Sequence, residues 1–161
     1  MIFLIYIRNM FAEFNYDNFP IINVRLNNIV NEEDFESFLK VWLNLYLQKQ
    51  DFIFLFDTTN ITYAPIFYSI KMCCFIKKLK SDFNYHYLKK SFMLVNNPFI
   101  NSMLSLIFKL QKPVAPIYIF ENKNNVKYLL DNKSIILNDD FLINLNNFTY
   151  ISPGNSLIPF L

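Results

Sequence analysis

The chain has 161 residues, of which 53% are hydrophobic, 19% aromatic and only 17% charged. That balance is the reverse of what disorder requires, and one domain of this length buries a substantial core. A formal charge of +2 is too small to point to nucleic acid, so no nucleic-acid partner is expected.

The opening run from Met1 to Ile7 is apolar but ends at Arg8, short of the roughly 20 residues that span a bilayer. It also lacks the basic front and cleavage site of a signal peptide. We read it as an extra N-terminal strand, with Met10 as a second candidate start, and expect no transmembrane span. From Met10 to Tyr16, and again from Ile22 to Leu26, residues alternate with mostly period two around Asn18-Phe19-Pro20. This predicts an antiparallel strand pair with one face buried.

Asn31 can cap the next helix, with Glu32, Glu33 and Asp34 in its first turn, where the helix dipole favours negative charge. Phe35, Phe38, Leu39, Trp42 and Tyr46 then recur at helical spacing. Phe52 to Phe56 has no polar alternation, the mark of a strand covered on both faces. Pro65 suits the first turn of a second helix, whose apolar stripe is Tyr68, Met72, Phe75, Ile76 and Leu79, with Lys71 and Lys78 opposite. Phe92 to Val95 forms the next buried strand, stopped by Asn96-Asn97-Pro98. A third helix shows the polar stripe Asn101, Ser105, Lys109 and Lys112, ends at Pro113, and hands over to the strand Ile117 to Phe120.

A short helix is expected over Asn125 to Leu130. Ile135 to Leu137 and Phe148 to Ile151 read as edge strands, Asp140 to Leu145 as a turn of helix, and Leu157 to Leu161 as an apolar tail able to dock on the body. The fold class is α/β: an N-terminal antiparallel strand pair, then alternating helices and strands in a mixed, mostly parallel sheet covered by helices. We treat residues 1–161 as one domain, with a core over about 11–131 and a C-terminal extension over 132–161.

Gly154 is the only glycine. Phosphate-cradling loops, dinucleotide turns and nucleophile elbows rely on glycine, so enzymes of those classes are not expected. His86, the only histidine, has no nucleophile or carboxylate that the sequence assigns to it. The adjacent Cys73 and Cys74 lack ligand spacing and cannot bridge without strain. They read as a reduced, buried pair, which favours a cytoplasmic location. Asp139-Asp140 reads as a loop or cap. The expectation is no cofactor, no metal and no catalysis.

Two surfaces remain as candidates. Lys77, Lys78, Lys80, Lys89 and Lys90 are interleaved with Phe83, Tyr85 and Tyr87, a pattern that binds single strands or anionic lipid but also describes a solvated helix end. The second surface is the carboxyl ends of the strands, where open parallel sheets gather ligands. Asp57, Thr58, Thr59 and Asn60, then Tyr63, then Asn96 and Asn97 form the candidate partner or ligand surface, set against their plainer reading as turns and caps. Nineteen Phe and ten Tyr residues also predict exposed apolar surface.

The order of elements from about Phe11 to Asp131 resembles STAS domains, the fold of bacterial anti-sigma-factor antagonists, and is similar to much of the CRAL-TRIO lipid-binding arrangement. The resemblance is carried by Phe52 to Asp57, a hydrophobic strand ending in Asp, and by Phe92 to Pro98, a strand running into Asn-Asn-Pro. STAS antagonists place a phosphorylatable serine at the start of the helix after the Asp-ended strand. Here that place falls at Pro65-Ile66, without a hydroxyl, and Thr62 and Ser69 lie three or four residues away. The resemblance implies a non-catalytic protein-binding or regulatory module without the phosphoswitch, with a filled core and an exposed patch around Ala64 to Lys80. The alternative is a small CRAL-TRIO-like binder of lipid or another hydrophobic ligand, with an apolar cavity between sheet and helices. The sequence leaves the oligomeric state open.

Overall fold

In the computed structural model, residues 10–137 and 148–153 are described. The expected strand over Met1 to Ile7, the helical turn over Asp140 to Leu145, the Asp139-Asp140 cap and the Leu157 to Leu161 tail lie outside these residues.

Strands β1 (Ala12–Asn15) and β2 (Ile21–Leu26) pair antiparallel, Ala12 opposite Leu26 and Asn15 opposite Asn23. Helix α1 (Glu32–Leu47) starts where expected, because the Asn31 side chain accepts a hydrogen bond of 3.0 Å from the Asp34 N–H. Such a cap satisfies one of the donors that a helix start leaves without a partner. Its buried face is Phe35, Phe38, Leu39, Trp42 and Tyr46, joined by Asp34 and Leu45. Strand β3 (Phe52–Asp57) follows, then α2 (Ile66–Asp82) behind the extended Pro65. Next come β4 (Leu88–Leu94), α3 (Pro98–Leu110) capped by Asn97, and β5 (Ile117–Phe120). Helix α4 (Lys123–Asp131) is capped by Asn122; the single turn α5 (Lys133–Ile136) and strand β6 (Phe148–Ile151) complete the order.

Among the described residues the sheet has six strands in the order β1-β2-β3-β4-β5-β6. Strands β2 to β5 are parallel, while β1 and β6 run antiparallel to their neighbours. Each parallel step moves in the same direction, so right-handed crossovers bring α1, α2 and α3 to one face. Core packing agrees. Val24, Phe54, Met93 and Ile119 join the cluster that includes Phe38, Trp42, Ile76 and Ile107. Their sequence neighbours Ile53, Leu55, Phe92, Tyr118 and Phe120 point to the other face and pack with Leu129 of α4. Period-two alternation therefore leaves β3 buried on both sides, as its unbroken apolar run predicts. Phe54 sits at its centre, fully buried, with the Trp42 ring edge-on at 5.2 Å and the Phe52 ring at 5.0 Å.

Two local expectations are corrected. Ile135 and Ile136 lie in α5 rather than in a strand; a short apolar run fits either state, and here it follows α4 after a single turn residue. Cys73 is half-buried but Cys74 is exposed, because consecutive helical residues diverge by about 100°. The edge strand over Phe148 to Ile151 forms as expected and pairs with β5.

Candidate functional site

The strand-end residues do come together, and most of their polar atoms join loop to loop. Asp57 Oδ1 accepts from the Thr59 N–H at 2.9 Å and from its hydroxyl at 2.6 Å. Thr58 is buried, its hydroxyl donating to the Leu94 carbonyl at 2.7 Å. Asn60 Nδ2 donates to Asn27 Oδ1 at 3.0 Å, tying the loop after β3 to the loop after β2. Asn97 Oδ1 accepts from the Phe99 N–H at 2.9 Å, the N-cap of α3. Tyr63 stacks on the Phe99 ring at 5.5 Å yet keeps 63% of its surface exposed. Asn96 is exposed at the end of β4. The strand order never reverses, so the crevice that a reversal opens in doubly wound sheets does not form here. Asn60, Tyr63 and Asn96 are the members that face outward.

Tyr63 leads directly to the exposed patch expected around Ala64 to Lys80 from the STAS resemblance, although the periodicity alone did not single out its residues. On α2, Ile66 is 64% exposed, Phe67 48% and Ile70 51%, and the exposed Cys74 follows. Ile66, Ile70 and Cys74 are four residues apart in turn, so they share one stripe. Lys77 and Lys78 are exposed further along the helix. At the flank, Lys71 donates to Glu32 at 2.6 Å and to Glu36, both on α1, with its ammonium 5.3 Å from the Phe67 ring centre. Those two hydrogen bonds, Glu32 first, hold the Lys71 ammonium above its ordinary pKa.

Behind the same helix lies a cavity of about 140 Å³ between the sheet and α1, α2 and α3. Phe35, Trp42, Tyr68, Met72, Met93 and Ile107 are among its walls, and among the described residues no charged side chain lines it. Two residues of this wall carry a buried polar atom without a partner among the described residues. Ser69 is 1% exposed and Trp42 7%, yet neither Ser69 Oγ nor Trp42 Nε1 has a hydrogen-bond partner among the described residues. Both residues belong to the cavity wall. Sequence reasoning missed this pair, since a serine beside a helix start reads as solvated. The excess apolar residues Ile66, Phe67 and Ile70, outside the inner stripe, were the available signal for the outer face.

The remaining candidates take structural places. Lys90 is buried in β4; Lys89 lies 3.5 Å from Asp51 and 4.0 Å from the Tyr85 ring centre. Phe83 and Tyr87 turn inward onto Tyr46, with ring centres 5.0 and 5.8 Å away. The interleaved lysines and aromatics therefore form no continuous stacking platform. His86 Nδ1 is 3.3 Å from the Tyr46 hydroxyl. Burial first, then Lys80 and Lys89, push the His86 pKa down, and burial pushes the Tyr46 hydroxyl up. Cys73 donates to the Ile107 carbonyl at 3.5 Å, with its thiol pKa raised chiefly by burial. Among the described residues, no group of three or more His, Cys, Asp or Glu is placed to hold a metal, and no helix is long and apolar enough to cross a membrane.

Comparison with protein-family models, with curated proteins and with solved structures gave no match.

Proposed function

We propose that this chain is a non-catalytic, STAS-like module that binds a partner protein through the outer face of α2. The observation that carries the reading is the exposed stripe of Ile66, Phe67 and Ile70. With Tyr63 it presents on the order of 400 Å² of apolar side chain, the range in which a surface patch is commonly functional. From Ile66 to Lys78 the helix runs for roughly 18 Å at its usual rise, long enough to seat about three turns of a partner helix. Lys77 and Lys78 share the exposed side at the far end. The complementary partner therefore has apolar anchors at one end of its docking element and carboxylates at the other.

The local chemistry favours docking without phosphorylation. Pro65-Ile66 offers no hydroxyl at the start of α2. Ser69 is buried, and the Thr62 hydroxyl accepts from Asn28 Nδ2 at 3.0 Å. A standing apolar surface would replace the phosphoswitch that the STAS resemblance leads one to look for. The lipid alternative draws less support, since a cavity of about 140 Å³ is small beside the roughly 300–1,000 Å³ of ordinary ligand pockets. The test is native mass spectrometry of the tagged chain purified gently from its own cells. A stoichiometric protein complex is expected, and Ile66→Ser with Ile70→Ser should abolish it without lowering Tm. A complex that survives both substitutions, or a lipid-sized adduct in place of a protein, would overturn the proposal.

A further inference from the structure

We infer that a groove between α3 and β6 binds a compact organic anion, a body of one or two rings bearing a carboxylate or phosphate group. The fold makes this groove. Helices α1, α2 and α3 cover one face of the sheet, whereas Leu129 of α4 packs on the other. Strand β6 extends the sheet one strand beyond β5, and its pairing sets Thr149 beside Ile119 and Ile151 beside Ile117. Ile117 and Ile119 belong to the core on the α1–α3 face and Ile151 packs against it, so that face of β6 forms a shelf alongside α3. The space above the shelf is about 900 Å³, within the roughly 300–1,000 Å³ of ordinary ligand pockets.

The polar stripe of α3 supplies the wall. Asn101, Ser105, Lys109 and Lys112 recur at helical spacing, and all four line the groove. Lys109 and Lys112 are three residues apart, neighbours with Cβ atoms roughly 5–6 Å from one another, so one anionic group can meet both. Neither forms an ion pair among the described residues. Lys112 also acts on Lys80 at the end of α2, whose pKa falls first through burial and then through that charge, so positive potential gathers here. Helix α3 connects the parallel strands β4 and β5 and runs antiparallel to both, which puts its two lysines at the end marked by Ile117 and Ile151. Glu121, the carboxylate among the described lining residues, follows β5 at the opposite end.

The floor sets the size of the body. Leu104 and Phe108 are one helical turn apart, roughly 6 Å. Ile119 and Ile151 are diagonal neighbours across the strand pair, roughly 7 Å apart. All four line the groove, and an apolar floor of about 6 by 7 Å seats two fused rings rather than a long acyl chain. This site stands on α3 and does not depend on the outer face of α2.

The test titrates the intact protein with 2-naphthoate and with its neutral isostere 2-naphthamide, followed through backbone amide resonances. 2-Naphthoate should bind saturably and shift the amides of Ser105, Lys109 and Ile151. At low salt it should bind about tenfold more tightly than 2-naphthamide, the worth of two exposed ion pairs. That preference should vanish in about 1 M sodium chloride, where charges are screened within about 3 Å. Combining Lys109→Glu with Lys112→Glu should reverse it, so that 2-naphthamide becomes the tighter ligand. The salt dependence of the unmodified protein keeps the inference testable should the double variant fold poorly. If 2-naphthoate does not bind at millimolar concentration, binds no better than 2-naphthamide, or shifts amides of α2 but not those of α3 and β6, the inference is wrong.

Discussion

Ser69→Ala is expected to stabilise the protein, although it removes a hydroxyl from the middle of the fold. The side chain is 1% exposed and its oxygen has no partner among the described residues, and leaving such a group unsatisfied costs about 1–3 kcal/mol. Alanine is also the better helix former at an interior position, by about 0.5 kcal/mol. Against these gains stands the packing of one oxygen atom, less than the ~0.8 kcal/mol of a buried methylene. The net gain is about 1–3 kcal/mol, which for a chain of this size raises Tm by roughly 3–10 °C. Urea denaturation with an unchanged m-value reads it directly. A loss of about 1 kcal/mol or more would show that the hydroxyl holds a stabilising hydrogen bond, to the Pro65 carbonyl or elsewhere.

Other consequences are equally direct. Thr58→Val removes the 2.7 Å bond to the Leu94 carbonyl, but that carbonyl still accepts from the Thr58 N–H at 3.1 Å, so the loss should stay within about 0.5–1.5 kcal/mol; a loss near 3 kcal/mol in urea denaturation would mean that more than one bond was broken. Lys49, just past α1, has φ of 56°, where a Cβ is unfavourable, and Lys49→Gly should stabilise by about 0.5–1 kcal/mol; a fall in the thermal midpoint would contradict this. His86 has a folded-state pKa held below its ordinary 6.5, so on acidification the unfolded chain takes up the proton first. The stability contributed by neutral His86 is present above about pH 6.5 and is lost as pH falls through the folded pKa. His86→Asn should flatten the dependence of the urea midpoint between about pH 7 and pH 5, and an unaltered slope would argue against this assignment.

How much the sequence disclosed varied with how each element buries itself. Phe35, Phe38, Leu39, Trp42 and Tyr46 were legible because α1 has one inner face and a polar outer one, so spacing alone identifies it. Helix α2 is apolar on both sides. Its pattern marked Tyr68, Met72, Phe75, Ile76 and Leu79 as inward but gave no reason why Ile66, Phe67 and Ile70 should face solvent. The unbroken apolar run Phe52 to Phe56 foretold that β3 is covered on both faces, whereas the order of the strands depends on crossovers that local patterns do not encode. The strand-end surface was inferred from what open parallel sheets generally do. Here the strands follow one another without reversal, and Asp57, Thr58 and Asn97 are largely engaged in turn and cap hydrogen bonds. Ser69 was hidden for a physical reason: nothing in the chain distinguishes a polar residue that meets solvent from one that its helix turns inward.

The most direct test of the central claim is photo-crosslinking in the native cells, with a benzophenone side chain placed at Ile70 on α2 or, as a control, at the exposed Lys40 on α1. Position 70 should yield one discrete protein adduct that disappears when Lys77→Glu and Lys78→Glu are combined, and position 40 should yield none. The same adducts at both positions, or lipid alone at position 70, would contradict the partner-docking account.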